Sequence, residues 1–577
     1  MIEQKLLSTS KPWVLFVCGL ILILAGLLVA HFAQTSNGVA LKTVAFDRED
    51  GKTIRALLYT PKTATESTPA PGILAVHGYI NSREVQSGFA IEFARRGYVV
   101  LAPDQSGHGY SDAPAFADGF GGPASLAYLR SLNIVDTQNI GLEGHSMGGW
   151  SILAAAATYP EDYKSMVLQG SSTGAPFALE GTPEWPRNLG LVYSKYDEFS
   201  GFMWGAPNAA NIGATDKLKT LFGARDDIVA EKMYGNIEIG TARILYQPGV
   251  THPGDHISPT AIGQAIDWFA QTLDGGTLIA PDDQIWVVKE AGTTIALIGF
   301  VLLLLGTFEL LLATAYFRAL RASPTGYAYQ SRGLKWWCVA VISMLLPALT
   351  FYPLFVLSAV TLPASQLLPQ AITTQVVVWA ILTVSVLSGL GFVLRGERVK
   401  PVTKTGSALL IAIATVSIGY FATWLASSLF HLDFRFWFVG VKLLSVAQAQ
   451  IALIYLPLFG IYFFLAARAL HLGCDVATDS VRKNYLANIT ILAGGFLMFL
   501  IIQYTALFAT GTLLFSLLPL ETIIMHQFVP LMVFIALVST FTYRRTGSIY
   551  PGVFINTLVV TWYVVAGQAT QHPNVLG

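Results

Sequence analysis

Long apolar runs constrain this chain most strongly, because a run of about 20 apolar residues can cross a bilayer as one helix. About nine runs approach this length. They extend from Trp13 to Phe32, Thr293 to Phe317, Trp337 to Leu362, Thr373 to Leu394, Ala408 to Phe430, Ile451 to Ala467, Ile489 to Leu514, Ile523 to Phe541 and Val553 to Val565. Only 12% of the residues are charged, against about 25% in a typical soluble domain. The sequence therefore predicts an all-α polytopic transmembrane domain, with one span at residues 13–32 and a bundle of about eight spans in residues 293–568.

Lysine and arginine are concentrated in alternate loops between these runs. The basic groups are Lys5 and Lys11, then Arg318, Arg321, Arg332 and Lys335, then Arg395, Arg398, Lys400 and Lys404, then Arg468, Arg482 and Lys483, and finally Arg544 and Arg545. Cytoplasmic loops of membrane proteins carry an excess of these residues. The pattern predicts that residues 1–12 are cytoplasmic, and that residues 42–275 and the tail at residues 569–577 are extracytoplasmic. The first run lacks a convincing cleavage site, so we interpret it as a signal anchor.

Two polar features lie within the apolar part of the chain. Glu309 falls inside the second run, and we expect it to be paired within the bundle or near its cytoplasmic edge. The stretch from Asp433 to Gln450 contains Arg435, Lys442 and several aromatic residues. This composition favours an interfacial helix or the extension of a span over a separate crossing.

Residues 42–275, between the first two runs, have the composition of a soluble domain. Short β-branched segments alternate there with helical patterns, which is typical of a parallel sheet covered by helices. The predicted strands are KTIRALLYTP, GILAVHGY, YVVLAPD, NIGLEG, YKSMVLQG, NLGLVYSKYD and ARILYQPGVTH. We therefore predict an α/β domain with a doubly wound, mostly parallel sheet, followed by a linker at residues 276–292. All three cysteines lie outside this domain, which excludes a disulfide framework within it.

A serine flanked by glycines marks one strand-to-helix junction of this domain. Gly144, Ser146 and Gly148 lie where the strand NIGLEG meets an alanine-rich helix that starts near Met147. A serine on such a tight turn adopts a strained backbone, which is tolerated when the residues two positions before and after it have no side chain. The helix N-terminus also directs backbone N–H groups toward negative charge developing nearby. The pattern predicts that Ser146 is a nucleophile.

Three motifs, VHGYINS, APDQSGHGYSD and GHSMGG, occur in this order in the α/β domain. They resemble the oxyanion loop, the turn after the next strand and the nucleophile elbow of the α/β-hydrolase superfamily. The resemblance implies a serine hydrolase in which the nucleophile is followed along the chain by an acid and then a histidine. It implies oxyanion donors at the backbone N–H groups of Met147 and Tyr79, and it implies Asp197 as the acid, with Glu198 as the alternative.

Two histidines in QPGVTHPGDHISP are candidates for the catalytic base. We favour His252, which follows the last strand pattern through a short turn, over His256, which lies two residues before a helix cap at Ser258. Zinc bound by the two histidines on one helix is a weaker alternative, because the Pro-Gly pair between them disfavours a helix. His77, Asp104 and His108 are interpreted as loop-shaping residues, since they precede Ser146 on the turns of other strands.

The predicted function is hydrolysis of carboxylic esters through an acyl-enzyme, acting on a small-molecule or lipid-like ester beside the lipid bilayer. A peptidase or amidase with the same triad, and a transporter or scaffold with a ligand-binding domain, are the alternatives. Extra residues between Phe199 and Glu238 are expected to roof the pocket with Trp204, Leu218, Leu221 and Phe222. No cofactor is expected, the formal net charge of +0 gives no indication of nucleic-acid binding, and the oligomeric state is left open.

Overall fold

The computed structural model describes residues 11–324, 329–394 and 404–573. Residues 1–10, the basic residues Arg395, Arg398 and Lys400, and residues 574–577 of the predicted tail lie outside the described residues. The strands are β1 Ala40–Asp47, β2 Thr53–Thr60, β3 Ala70–Val76, β4 Val99–Pro103, β5 Val135–His145, β6 Ser165–Gln169, β7 Leu189–Val192, β8 Arg243–Tyr246, β9 Phe434–Phe436 and β10 Val439–Val441. The α-helices are α1 Trp13–Gln34, α2 Ser87–Arg95, α3 Gly122–Arg130, α4 Met147–Thr158, α5 Ser200–Trp204, α6 Asp216–Phe222, α7 Pro259–Thr272, α8 Trp286–Ala313, α9 Leu334–Thr361, α10 Ala371–Leu394, α11 Thr405–Phe430, α12 Val446–His471, α13 Val481–Thr510, α14 Pro519–Thr546 and α15 Tyr550–Gly567.

The α/β domain is built on one eight-stranded sheet. Its strand order is β1-β2-β4-β3-β5-β6-β7-β8, in which β2 pairs antiparallel with both β1 and β4 and the remaining pairs are parallel. Phe89 of α2 and Phe269 of α7 belong to one buried apolar core, while Leu126 of α3 and Ile152 of α4 belong to another. The predicted doubly wound, mostly parallel sheet is confirmed, and the largely exposed edge strand β1 is an addition that the sequence patterns did not indicate.

Nine helices among the described residues are long and apolar enough to cross a membrane, in agreement with an integral membrane protein. They are α1 and α8 to α15. The helix α8 begins at Trp286, inside the predicted linker, because the α/β domain itself caps it. The buried carboxylate of Glu92 accepts hydrogen bonds from the backbone N–H groups of Ile285 at 2.6 Å and Trp286 at 3.0 Å. The α/β domain is therefore joined directly to the first turn of a span.

Helices α1 and α8, which carry the chain into and out of the α/β domain, pack against each other through glycine. A Cβ added at Gly26 would lie 2.4 Å from the carbonyl oxygen of Gly292, and one at Gly299 would lie 2.7 Å from the backbone nitrogen of Ile23. Small residues let the backbones of membrane helices approach closely, which is the main source of their packing energy. The two connections to the α/β domain are thus held side by side.

Polar contacts join the bundle near the basic loops, away from the α/β domain. Glu309 forms an ion pair with Arg321 at 2.9 Å and a second with Arg545, so the predicted pairing of Glu309 is confirmed. The imidazole of His471 lies 2.8 Å from the hydroxyl of Ser539 on another helix. Such interhelical polar contacts stabilise membrane bundles by about 1 kcal/mol each.

The segment that follows α11 contacts the α/β domain instead of lying along the membrane surface. Strands β9 and β10 form a hairpin, so an interfacial helix is wrong for this part, whereas the first turn of α12 does extend a span. The carboxylate of Glu84 in the α/β domain lies 3.2 Å from Lys442 and 3.6 Å from Arg435. Burial opposes ionisation of Glu84, but these cations and Arg83 outweigh it and hold its pKa well below the usual range. The basic residues that suggested lipid contact therefore bind the α/β domain.

Candidate active site

Ser146 occupies a strained turn between β5 and α4. Its φ is +54°, in the left-handed region that side chains disfavour. A Cβ at Gly144 would lie 2.4 Å from the carbonyl oxygen of Gly148, and a Cβ at Gly148 would lie 2.1 Å from the carbonyl oxygen of Val76. The sequence expectation that both flanking positions must lack side chains is confirmed.

His252 and Asp197 form a hydrogen-bonded pair beside this turn. The Nδ1 atom of His252 lies 2.8 Å from Oδ2 of Asp197, whose other oxygen accepts hydrogen bonds from the Phe199 backbone N–H at 2.8 Å and the Tyr193 hydroxyl at 3.2 Å. A carboxylate in this position keeps the proton on Nδ1, which leaves Nε2 available to accept one. Burial lowers the pKa of His252, but the adjacent Asp197 more than compensates and the net shift is upward.

Glu198, the alternative acid, contacts the backbone of His252 and not its ring. One carboxylate oxygen accepts the His252 backbone N–H at 2.8 Å, and the other accepts the hydroxyl of Tyr504, on membrane helix α13, at 2.6 Å. Burial and the neighbouring charge of Asp197 raise the pKa of Glu198 to about 7. A side chain of the bundle thus contacts Glu198, which is adjacent to Asp197 in the chain and is hydrogen-bonded to the backbone of His252.

His256 points toward a different set of partners. Its Nε2 lies 3.2 Å from the side-chain oxygen of Gln86, whose amide donates to the buried carboxylate of Glu143 at 2.7 Å. Burial is the main cause that lowers the pKa of His256 to about 3 and raises that of Glu143 to about 8. Residues Pro253–Ile257 form a short 3-10 helix where the sequence disfavoured any helix.

Asp255 is a buried carboxyl group next to the site that sequence reasoning missed. It accepts a hydrogen bond from the hydroxyl of Ser194, and its second oxygen lies 3.9 Å from Nε2 of His145. Burial raises the pKa of Asp255 well above its usual value. The only sequence signal was its position between the two candidate histidines.

The backbone groups proposed as oxyanion donors lie next to Ser146. Met147 is the first residue of α4, and Tyr79 follows Gly78, where an added Cβ would lie 3.2 Å from the Cβ of Ser146. Both Met147 and Tyr79 line the same cavity as Ser146 and His252. The Tyr79 hydroxyl accepts a hydrogen bond from Gln571, in the segment after α15, at 3.2 Å.

The residues interpreted as loop-shaping do form local hydrogen bonds. Nε2 of His77 accepts the Gln105 backbone N–H at 3.1 Å, and Nδ1 of His108 lies 3.0 Å from the Ser106 carbonyl oxygen. Asp104 accepts the backbone N–H of Arg83 at 2.9 Å and that of Tyr110 at 3.0 Å. That interpretation is confirmed for all three.

A cavity of about 860 Å³ opens onto Ser146 and His252. Its walls come partly from the α/β domain and partly from the bundle. The apolar lining includes Trp150, Phe177 and Phe202 of the α/β domain and Leu507, Leu513, Leu517, Leu520 and Ile523 of the bundle. The four residues predicted as a roof, Trp204, Leu218, Leu221 and Phe222, are instead buried in the domain core, so that prediction was wrong. They belong to one buried apolar cluster with strand residues such as Leu168 and Leu191.

Comparison with known proteins gives partial matches to the α/β domain. A family model of the alpha/beta hydrolase fold matches residues 71–193. Esterase YjfP of Escherichia coli is 25% identical over 242 residues, which are 38% of this chain and 95% of that protein. A 2-hydroxy-6-oxononadienedioate/2-hydroxy-6-oxononatrienedioate hydrolase of Burkholderia vietnamiensis is 39% identical over 148 residues, 24% of this chain and 50% of that protein. Monoacylglycerol lipase of Mycolicibacterium smegmatis is 31% identical over 126 residues, 20% of this chain and 42% of that protein.

Proposed function

We propose that the α/β-hydrolase domain of this integral membrane protein is a serine hydrolase that cleaves carboxylic esters. The observation that carries the proposal is the Asp197–His252 pair, joined at 2.8 Å, in the same cavity as Ser146 on its strained turn. Related proteins named esterase and monoacylglycerol lipase favour an ester over other substrates. The apolar cavity walls agree with an acyl group as the part of the substrate that binds.

In the proposed reaction, the Ser146 hydroxyl attacks the ester carbonyl carbon while Nε2 of His252 takes the hydroxyl proton. The carbonyl oxygen becomes an oxyanion that accepts hydrogen bonds from the backbone N–H groups of Met147 and Tyr79. Collapse of this intermediate breaks the ester C–O bond, and His252 donates its proton to the departing alcohol. Asp197 remains ionised and stabilises the imidazolium form of His252.

The second half of the reaction returns the enzyme to its initial state. Water attacks the acyl-Ser146 carbonyl, and His252 takes a proton from that water. The new tetrahedral intermediate releases the carboxylic acid as His252 returns the proton to the serine oxygen. The proposed reaction requires no reactant other than the ester, water and the side chains named above.

We further propose that the hydrolase domain lies outside the cytoplasm. The described basic residues Arg321 and Arg545 lie at the Glu309 end of the bundle, whereas the hydrolase domain contacts Tyr504 near the end of α13 and Gln571 after α15, at the other end. The positive-inside rule assigns the Glu309 end to the cytoplasm.

Labelling of the full-length protein with a fluorophosphonate tests the assignment of the nucleophile. We expect one labelled site, and we expect Ser146→Ala to abolish the label, because Ser146 is the proposed nucleophile on the strained turn and lines the same cavity as His252. Ser516→Ala, a second serine that lines the cavity, is the matched control and should retain the label. Hydrolysis of an ester and an amide with the same acyl group then distinguishes an esterase from an amidase. Labelling that survives in Ser146→Ala would disprove the assignment.

A further inference from the structure

The bundle supplies part of the wall of the active-site cavity. The end of α13, the connection from α13 to α14, and the first turn of α14 contribute Leu507, Leu513, Leu517, Leu520 and Ile523 to the lining. These five leucine and isoleucine side chains line the same cavity as Ser146, and the same part of the chain also contributes the polar residues Ser516, Glu521 and Gln527. A site that hydrolysed a small water-soluble ester would need no such wall from a membrane-spanning segment.

Several of the side chains that line this cavity are both apolar and exposed. Phe202 and Phe177 line it and are 59% and 42% exposed, and Leu517 lines it from the bundle and is 92% exposed. Exposed apolar residues grouped at one place indicate a surface that contacts lipid or another apolar partner. We refer to Phe177, Phe202 and Leu517, exposed apolar side chains that line one cavity from both parts of the chain, as the apolar rim.

Leu517, the member of the rim from the bundle, lies between the ends of two candidate membrane spans. The span α13 ends at Thr510 and the span α14 begins at Pro519, so only the short connection at residues 511–518 lies at the bilayer surface. Leu517 is placed two residues before a membrane-spanning helix begins. An amphiphile in the adjacent leaflet would meet this rim without first entering the water.

We infer that the rim is an entrance from the bilayer, and that the substrate is a lipid ester whose long acyl chain passes into the cavity while its polar group stays near the surface. This inference rests on the proposed hydrolase function and specifies its substrate class. The cavity, at about 860 Å³, lies toward the upper end of the roughly 300–1,000 Å³ range of ligand pockets, which suits a long chain better than a short one. Burying each methylene against the apolar wall contributes about 0.8 kcal/mol of binding free energy.

Activity toward monoacylglycerols of different chain length, with the full-length protein in phosphatidylcholine nanodiscs, tests the inference. We expect kcat/KM for monopalmitoylglycerol to exceed that for monobutyrylglycerol by at least about tenfold, since each methylene bound in an apolar pocket raises discrimination. Leu517→Asp places a charge on the rim, and Leu520→Trp fills space in the cavity. Both should reduce the palmitoyl-to-butyryl ratio by about tenfold. Fluorophosphonate labelling of each variant shows that its active site is folded.

Leu514→Asp is the matched control, because Leu514 lies on the same connection, is 60% exposed and does not line the cavity. Its ratio should stay within about twofold of the wild-type value, a change that corresponds to less than 0.5 kcal/mol. A wild-type preference for the butyryl ester would overturn the inference while leaving the hydrolase function intact. So would an unchanged ratio in both Leu517→Asp and Leu520→Trp.

A binding measurement separates failure of this inference from failure of the proposed hydrolase function. A diazirine-bearing palmitoyl ether of glycerol cannot be hydrolysed, and it should cross-link the Ser146→Ala protein at residues of the α13–α14 connection and the first turn of α14. The same cross-links in a protein that hydrolyses no ester would disprove the hydrolase function and retain the lipid site. Cross-links confined to other parts of the chain would disprove the lipid site.

Discussion

Replacing Tyr504 with phenylalanine removes one hydroxyl group from the membrane bundle and tests whether the bundle influences His252, the proposed catalytic base. The Tyr504 hydroxyl donates to Glu198 at 2.6 Å, and Glu198 accepts the backbone N–H of His252 at 2.8 Å. Hydrogen bonds to a charged group contribute about 1.5–3 kcal/mol. The negative charge of Glu198 also raises the pKa of His252, and the Tyr504 hydroxyl lowers that of Glu198. Without this hydroxyl, Glu198 is neutral in more molecules near neutral pH.

The expected result is a lower kcat and a changed pH profile. A neutral Glu198 no longer stabilises the imidazolium that forms in the transition state, so we expect kcat to fall by about three- to tenfold, or about 0.7–1.4 kcal/mol. The loss is smaller than the full hydrogen-bond energy because the bond is present in the ground state as well. The acid limb of kcat/KM reports the free-enzyme His252, whose pKa is raised above about 6.5. This limb should move to lower pH in Tyr504→Phe.

Steady-state hydrolysis of a monoacylglycerol between pH 5 and 9 provides the measurement. Glu198→Gln should move the acid limb in the same direction, and the double variant should show no further shift, because both changes act through one group. Tyr246→Phe removes a tyrosine–carboxylate hydrogen bond of 3.3 Å that lies outside the cavity, and it should leave the profile unchanged. An unchanged profile in Tyr504→Phe, or a shift of its limb to higher pH, would refute the reasoning.

Two further predictions concern stability and topology. Glu84→Gln leaves Lys442 buried without its carboxylate partner, so the free energy of unfolding should fall by about 3–5 kcal/mol in denaturant titrations. As a control, Glu161→Gln removes the exposed ion pair with Arg187 and should change this free energy by less than about 1 kcal/mol. Folding lowers the pKa of Glu84, so its contribution to the free energy of unfolding is present above the unfolded pKa of about 4.3 and is lost as the pH falls through the folded pKa. The difference in unfolding free energy between wild type and Glu84→Gln should therefore shrink below about pH 4.3. A difference that stays constant with pH would contradict this. In a chain whose native cysteines have been replaced, Asp226→Cys should react with a membrane-impermeant maleimide in intact cells, whereas Ser323→Cys should react only after lysis. The reverse pattern would show that the proposed orientation is inverted.

Local patterns in the sequence were sufficient to predict the α/β domain and the turn at Ser146. The turn is predictable because its constraint is local: Gly144 and Gly148 must lack side chains within a few residues of the serine. The seven predicted strands correspond to β2–β8, and Ser258 does cap α7. Each of these features depends on residues that are close together in the chain.

Contacts between the two parts of the chain could not be predicted in this way. Tyr504 and Glu198 are separated by 306 positions, and nothing near either residue indicates the other. The pair Lys442–Glu84 is separated by 358 positions, and the basic residue suggested lipid contact when considered alone. The true cavity wall was missed for the same reason, since apolar residues such as Leu517 look identical in sequence whether they face lipid, core or a cavity. Only the three-dimensional packing distinguishes these environments.

The glycine contact between α1 and α8 has a consequence for how the protein is made. The partner that Gly26 packs against is not synthesised until about 250 residues after α1, which takes roughly 12–50 seconds at about 5–20 residues per second. During that interval α1 must remain in the membrane as a single span, so its own apolarity has to anchor the nascent chain. In the proposed orientation, the hydrolase domain has time to fold on the far side of the membrane before α8 is synthesised. When Glu92 caps α8, the finished domain supplies the carboxylate that fixes where the next span begins.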